Sequence, residues 1–401
     1  MDDDRAILRS GSRQPREQDG GLGISSAPPH NAAPGTSPGA VIAREPRIDI
    51  LRGCALLTIV INHLSQVAEA GGLTSGLFPT PTRYGYSTAA ELFVILSGYM
   101  VGLVYLARPQ PILAVLKRAA TLWLYNFALL AAVFPLAFLM SAIELDFWRF
   151  NDLVNDPLNA IVRMGALQQA PRLLDILLLY VTLMLIAPLA IVIHARSPRV
   201  VIAASATIYV VAQILTIKRI DGSPTATDDG ILKLLSWQVI FFVPMALGAR
   251  RLHLALFRWL ETHRTPLVLF VFLFLAGALL KTWEAPAPEW LTPRYGLHLL
   301  RLGHAILVLM LYTALLTAAR RLLHTPPARM LATIGRHSLD CFAAGVLATY
   351  VLALTWDRAG GGHLVYYLSV LTAVTLTALV AWWRESARKP RHRHRATDNR
   401  T

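Results

Sequence analysis

The sequence is short of charge, of acidic residues and of cysteine, and each shortage excludes something. Only 15% of the 401 residues are charged, too few to clothe a soluble domain of this size. Asp and Glu number 24 against 38 Lys and Arg. The resulting charge of +14 does not point to nucleic acid, because the basic residues sit in short loops and tails between apolar runs, as cytoplasmic membrane loops do. The two cysteines, Cys54 and Cys341, lie in apolar segments with no C-x-x-C partner and no zinc-like His spacing. They read as packing residues, with no disulfide or metal role. A period-two alternation is missing, which argues against a β-barrel. There is also no P-loop, no G-x-G-x-x-G, no H-E-x-x-H and no nucleophile elbow. No inverted repeat is visible, which weakens a secondary-transporter reading.

What is present is apolar. Hydrophobic residues make up 55% of the chain, and mean hydropathy is +0.48. The fold class expected is an all-α, polytopic integral membrane protein, because backbone groups in hydrocarbon must be satisfied within helices. About ten spans are expected, near 50–68, 87–106, 112–140, 173–194, 199–217, 232–249, 266–282, 298–319, 332–356 and 363–383. The even-numbered connections carry Arg108, Lys117 and Arg118; Arg196 and Arg199; Arg250, Arg251, Arg258 and Arg264; Arg320, Arg321 and Arg329. The odd-numbered ones hold most loop acids, among them Glu144, Asp152, Asp156, Asp228, Asp229, Glu284 and Glu289. That alternation places both termini in the cytoplasm of a bacterial inner membrane. Residues 1–44, rich in Gly, Pro, Ser and charge, read as a disordered cytoplasmic tail without the apolar core of a cleaved leader. Residues 45–384 form the membrane domain. Residues 385–401 form a basic cytoplasmic tail that meets anionic lipid.

Ionisable groups inside spans are costly, so each invites a functional reading beside a structural one. Asp49 and Arg52 lie at the cytoplasmic mouth of the first span and can pair across one turn, as an interfacial ion pair or as working residues. His63 follows Arg52 by eleven residues, close to three turns, so both project from one face. It lies roughly 20 Å along the span, either as a donor to a neighbouring helix or as a base. Glu91 enters with the second span at a similar depth and can orient that imidazole. Asp175 comes in from the same outer side, as a partner for Arg172 or a neighbouring helix or as a substrate contact. Ser97 and Gly98 read as close-packing residues, and Tyr99 as a cavity-lining one. Trp237 and Gln238 are further inward-facing candidates. His298, Arg301 and His304 form a stripe at spacings of three, either an anion site or an interfacial cluster. His337 and Asp340 read as capping and anchoring residues.

Five stretches, "RIDILRGCALLTIVINHL", "STAAELFVILSGYMVGLVY", "APRLLDILLLYVTLMLIAPLAI", "LLSWQVIFFVPMALG" and "TIGRHSLDCF", resemble successive blocks of the OpgC family. Those membrane proteins are associated with adding succinyl groups to osmoregulated periplasmic glucans. The first block also resembles the wider membrane acyltransferase-3 superfamily, in which Arg or Lys, ten residues and then His form a recurring motif. Here Arg52 and His63 match it. The chain has Ile50-Leu51 where the superfamily has an aromatic pair, and Asn62 in place of its usual Asp; neither change removes the imidazole. Lys117-Arg118 is the nearest basic pair to the superfamily's R-x-R motif. The resemblance implies an O-acyltransferase with no bound cofactor or metal. Its co-substrate would be an acyl-coenzyme A, with succinyl-coenzyme A expected. Its partners would be membrane lipid, a cytoplasmic acyl donor and a periplasmic glucan acceptor, not nucleic acid. Arg52 and Arg118 would hold the donor, and His63 would act as base with Glu91 orienting it, by direct transfer or a covalent relay. The alternative is a transporter or flippase in which His63 and Glu91 relay protons; a scaffold subunit is a third reading.

Overall fold

The computed structural model of the chain describes residues 45–218, 226–283 and 296–397. The expected tail at 1–44, Glu284, Glu289 and residues 398–401 lie outside the described residues, as do the side chains of Asp228, Asp229 and 388–397.

The described residues form helices and no strand. In chain order they are α1 Pro46–Ala70, α2 Ala89–Met100, α3 Pro111–Ala137, α4 Ala142–Trp148, α5 Asn151–Asn155, α6 Pro157–Gly165, α7 Asp175–Arg196, α8 Pro198–Lys218, α9 Ala226–Trp237, α10 Val239–Ala249, α11 Leu252–Thr262, α12 Thr265–Thr282, α13 Leu299–Ala318, α14 Pro326–Arg336, α15 Ser338–Arg358 and α16 His363–Thr397. Nine described segments are long and apolar enough to cross a membrane: α1, α3, α7, α8, the joined α9–α10, α12, α13, α15 and α16. The tenth, α2 with the π-helical turn Val101–Tyr105, is shorter. Its length of about 26 Å still suffices for the hydrocarbon layer. Every residue from Ala89 to Gly98 is buried, so this span faces protein rather than lipid. The protein is a multi-pass membrane protein.

Three boundaries differ from the apolar runs. The ninth run splits: α14 ends at Arg336, His337 breaks the helix, and the span itself begins at Ser338. The physical reason is α14's position, flat against the start of α1. A Cβ on Gly53 would strike the Leu331 carbonyl, and one on Gly335 would strike the Asp49 carbonyl. Two small residues thus let the backbones touch, as in other intramembrane helix pairs. The sixth run is likewise broken at Gln238. The last helix continues through Thr397, past the expected boundary at 384.

Side-chain links define the two ends of the bundle. At the near end, where α1 begins, Arg47 pairs with Glu261 at 2.9 Å, and Glu261 also meets Arg320. At the far end, where α1 stops, Lys281 donates to the Gly85 carbonyl at 2.6 Å, and Tyr367 to that of Gly76. The connection 71–88 is strapped across the far end. Tyr366 Oη accepts from the Phe78 N–H at 3.0 Å and shares a hydrogen bond with Ser65 of α1 at 2.8 Å. Gly98 and Gly102 meet the backbone of α10, so α2 sits deep between α1 and α10. The segment 141–174 folds back on the core, burying Trp148 and Phe150 against Tyr350.

Candidate active site

The residues singled out above fall into four places. The first is a cavity in the near half of the bundle. Arg52 of α1 lines it with Arg118 of α3, Ser97 and Phe93 of α2, Tyr180 of α7 and Ser338 of α15. Its empty space, with the open mouth included, is about 330 Å³. Arg52 is turned towards α15, where its Nη2 donates to Ser338 Oγ at 2.5 Å. Two guanidinium groups over an apolar wall suit an anionic ligand with a greasy or extended arm. Asp49 is buried one turn before Arg52, at the contact of α1 with α14.

The second place is the far half of the same stripe of α1. Leu56 and Ile59 follow Arg52 and are buried in one apolar cluster with Phe93, Val94 and Phe342. Phe93 stacks on Phe342 at 6.1 Å. Beyond this apolar collar comes His63, half-buried. Its neighbour Asn62 is clamped by the strap: Asn62 Nδ2 donates to Thr82 Oγ1 at 2.7 Å, and Thr80 Oγ1 donates to Asn62 Oδ1 at 2.6 Å. Asn62 therefore ties the 71–88 connection to α1 beside the imidazole.

The third place is a buried polar group where α2 and α13 begin. Glu91 is fully buried. Its Oε2 accepts from the Thr88 N–H at 2.8 Å and from the Thr88 hydroxyl, capping α2. Its Oε1 accepts from Arg301 Nη2 in a buried ion pair. Three donors fill three of the roughly four lone-pair directions of a carboxylate, leaving about one for a further partner. His304, one turn beyond Arg301, holds Ser87 through Nδ1, at 2.7 Å to Oγ and 3.2 Å to N. Depth can be counted along the helices. Ala55 and Val308 share one apolar cluster with Leu51, Leu92 and Leu96. From Ala55 to His63 the chain climbs about 12 Å towards the far end, and from Val308 to Arg301 about 10 Å. The imidazole and the Glu91–Arg301 pair both lie in the far half of the bundle.

The remaining candidates stand apart. Asp175 pairs with Lys233 of α9 at 3.0 Å. The Tyr99 hydroxyl lies 2.5 Å from His253 Nδ1 and accepts from the His253 N–H at 2.9 Å, joining α2 to α11. Burial, then the positive charges of Arg251 and Arg47, hold His253 below the ordinary imidazole pKa despite Glu45 nearby. Gln238 is tied to Ser205 on α8, accepting at 2.5 Å and donating at 2.7 Å. Trp237 is buried beside it. His298 precedes α13, and burial followed by the Arg301 charge lowers its pKa. At the near end His337 lies 3.0 Å from Glu385, and Asp340 joins Tyr125 and Arg384 at 2.6 and 2.9 Å.

Sequence reasoning missed Ser338, Lys233, His253, Lys281 and the Thr80–Thr82 clamp. The signal for Lys233 and Lys281 was available, since a lysine within an apolar run demands a partner. Among the described residues no group of three or more His, Cys, Asp or Glu side chains is placed to hold a metal.

The sequence was also compared with known proteins. One family, described as OpgC protein, matches residues 44–389, most of the chain and all but the end of its last described helix. No curated protein and no solved structure matches.

Proposed function

The chain belongs to the OpgC family, and from that premise we propose that it is a membrane O-acyltransferase acting on glucan. It moves an acyl group, with succinyl the expected one, from a cytoplasmic thioester to hydroxyls of a periplasmic glucan. The observation that carries this reading is the stripe of α1. Arg52 lines a cavity with Arg118, and His63 stands on the same side of the helix about 16 Å further on.

In this reading the near end faces the cytoplasm, as the basic connections expect. Arg52 and Arg118 hold the anionic part of the donor, and its acyl arm runs along the collar of Leu56, Ile59 and Phe93. A sugar hydroxyl enters from the far end under the 71–88 strap. His63 takes the hydroxyl proton as the oxygen attacks the thioester carbonyl carbon. The C–S bond then breaks, and the departing thiolate takes up the proton from His63. Glu91, held by Thr88 and Arg301, orients the imidazole.

The test is mass spectrometry of periplasmic glucans from cells carrying the wild type or His63→Ala at equal membrane abundance. Loss of the acyl mass from the glucan supports the reading. Unchanged acyl substitution overturns it. Full acylation of glucan found in the wrong compartment would instead favour the transporter.

A further inference from the structure

Helix α11 carries positive charge that no nearby acid answers, beside an apolar strip that no other helix covers. At 11 residues it is about 16 Å long, too short to cross a membrane. Two breaks set it off from its neighbours: Arg251 before it has a left-handed φ of 53°, and His263 after it is extended. Side chains hold it at the near end. Phe257 and Leu260 are buried. The Arg47 guanidinium of α1 lies 3.8 Å over the Phe257 ring, and Glu261 pairs with both Arg47 and Arg320.

The rest of the helix looks outwards. Leu252 and Trp259 are exposed and seven residues apart, close to two turns, so they share a side. Arg251 and Arg258 are exposed with the same spacing, about 100° round the helix from that pair. α11 thus has three sides, one against protein, one apolar and one basic. Its single acid, Glu261, is already taken by Arg47 and Arg320. Arg258 spends its Nε on the Leu254 carbonyl at 3.3 Å, and neither it nor Arg251 meets a carboxylate among the described residues. Position says what covers this surface. Only His263 and Arg264 separate α11 from α12, a span on which Val268, Leu269, Phe272 and Leu275 are more than half exposed and so face hydrocarbon. The apolar side of α11 is therefore next to lipid, and its basic side meets the layer that holds lipid phosphates.

We propose that α11 is a docking helix for anionic phospholipid of the near leaflet. Arg251 and Arg258 hold the headgroup phosphates, and Trp259 and Leu252 lie against the acyl chains, where an interfacial tryptophan belongs. Phosphatidylcholine carries a phosphate too, but its choline cancels the charge, so the attraction favours lipids with net negative charge. The lipid also steadies the cavity with two arginines, because α11 grips both helices that supply its near wall. Arg47 lies five residues before Arg52 on α1. The His253 N–H donates at 2.9 Å to the hydroxyl of Tyr99, two residues beyond Ser97 on α2.

The test is native mass spectrometry of the purified full-length protein in mixed phosphatidylglycerol and phosphatidylcholine, with melting temperature in nanodiscs of each lipid as a second readout. The wild type retains phosphatidylglycerol preferentially and melts higher in it. The double variant Arg251→Gln/Arg258→Gln binds phosphatidylglycerol about tenfold more weakly and loses that gain, while melting like the wild type in phosphatidylcholine. Arg251→Lys/Arg258→Lys keeps the charge and most of the binding, and serves as the folded control. Arg196→Gln/Arg199→Gln removes the same charge from the connection between α7 and α8 and keeps both effects. The basic C-terminal tail is intact in every variant, so its own attraction to anionic lipid cancels. Equal retention of the two lipids by the wild type, full binding by the α11 glutamine variant, or an equal loss in the α7–α8 variant would each overturn the proposal. No step here uses the acyl-transfer reading, so the two stand or fall separately.

Discussion

At the scale of single residues, the strongest constraint is that a charge in the membrane must be answered. Glu91 and Arg301 answer each other at full burial. Removing one leaves the other stranded, so Glu91→Leu or Arg301→Met alone costs about 3–5 kcal/mol, whereas the double replacement costs less than either. Denaturant titration of the two single variants and the double variant checks this, and additive losses would show that the pair is not a unit. A second residue-scale expectation concerns His253, held below the ordinary value of 6.5 by burial and neighbouring Arg charge. A depressed folded pKa means that the unfolded chain binds the proton more readily. The stabilisation is therefore complete above pH 6.5 and is lost as pH falls through the lower folded value. His253→Phe should flatten that part of the melting-temperature profile, and an unchanged profile would assign the pH response elsewhere. Such partners were the least legible part of the sequence. His63, Glu91 and Arg301 stand out as polar residues in apolar runs. That Glu91 meets Arg301, 210 positions away, depends on how α2 and α13 pack, which no local pattern encodes.

Helices were far more legible. Each span shows itself as a run of apolar residues because hydrocarbon demands it locally, whatever the neighbours are. The breaks at Gln238 and His337 were not visible, because both follow from tertiary packing. Gln238 is held sideways by Ser205 on α8, and α14 is pressed flat on α1. That second contact has a consequence for the site. Gly53 lies next to Arg52, and its closeness to Leu331 fixes how Arg52 meets Ser338. Gly53→Val must push α14 away, at a cost of about 1–3 kcal/mol or more. If the account holds, Gly53→Val also weakens donor binding more than Ala55→Gly does, measured as KM for the thioester. Equal effects would detach the α1–α14 contact from the cavity.

For the molecule as a whole, the arrangement separates two chemistries along one helix. A cavity with two arginines opens in the near half, an apolar collar follows, and an imidazole and a buried ion pair occupy the far half under a clamped strap. Such a layout suits a reaction whose two substrates come from opposite sides of a membrane, because neither needs to cross it whole. The alternation of basic connections expects the near end and both termini on the cytoplasmic side, and it predicts that a cysteine placed after Thr401 is labelled from the cytoplasm only. Labelling from the periplasm would invert the scheme. The most direct measurement follows thiol release by the purified protein in nanodiscs, given an acyl thioester and a glucan acceptor. The wild type should release one thiol for each ester formed. His63→Ala should lower that rate by about 10²–10⁴ while still binding the donor. Thiol release by His63→Ala at the wild-type rate, with ester still formed on the glucan, would contradict the account.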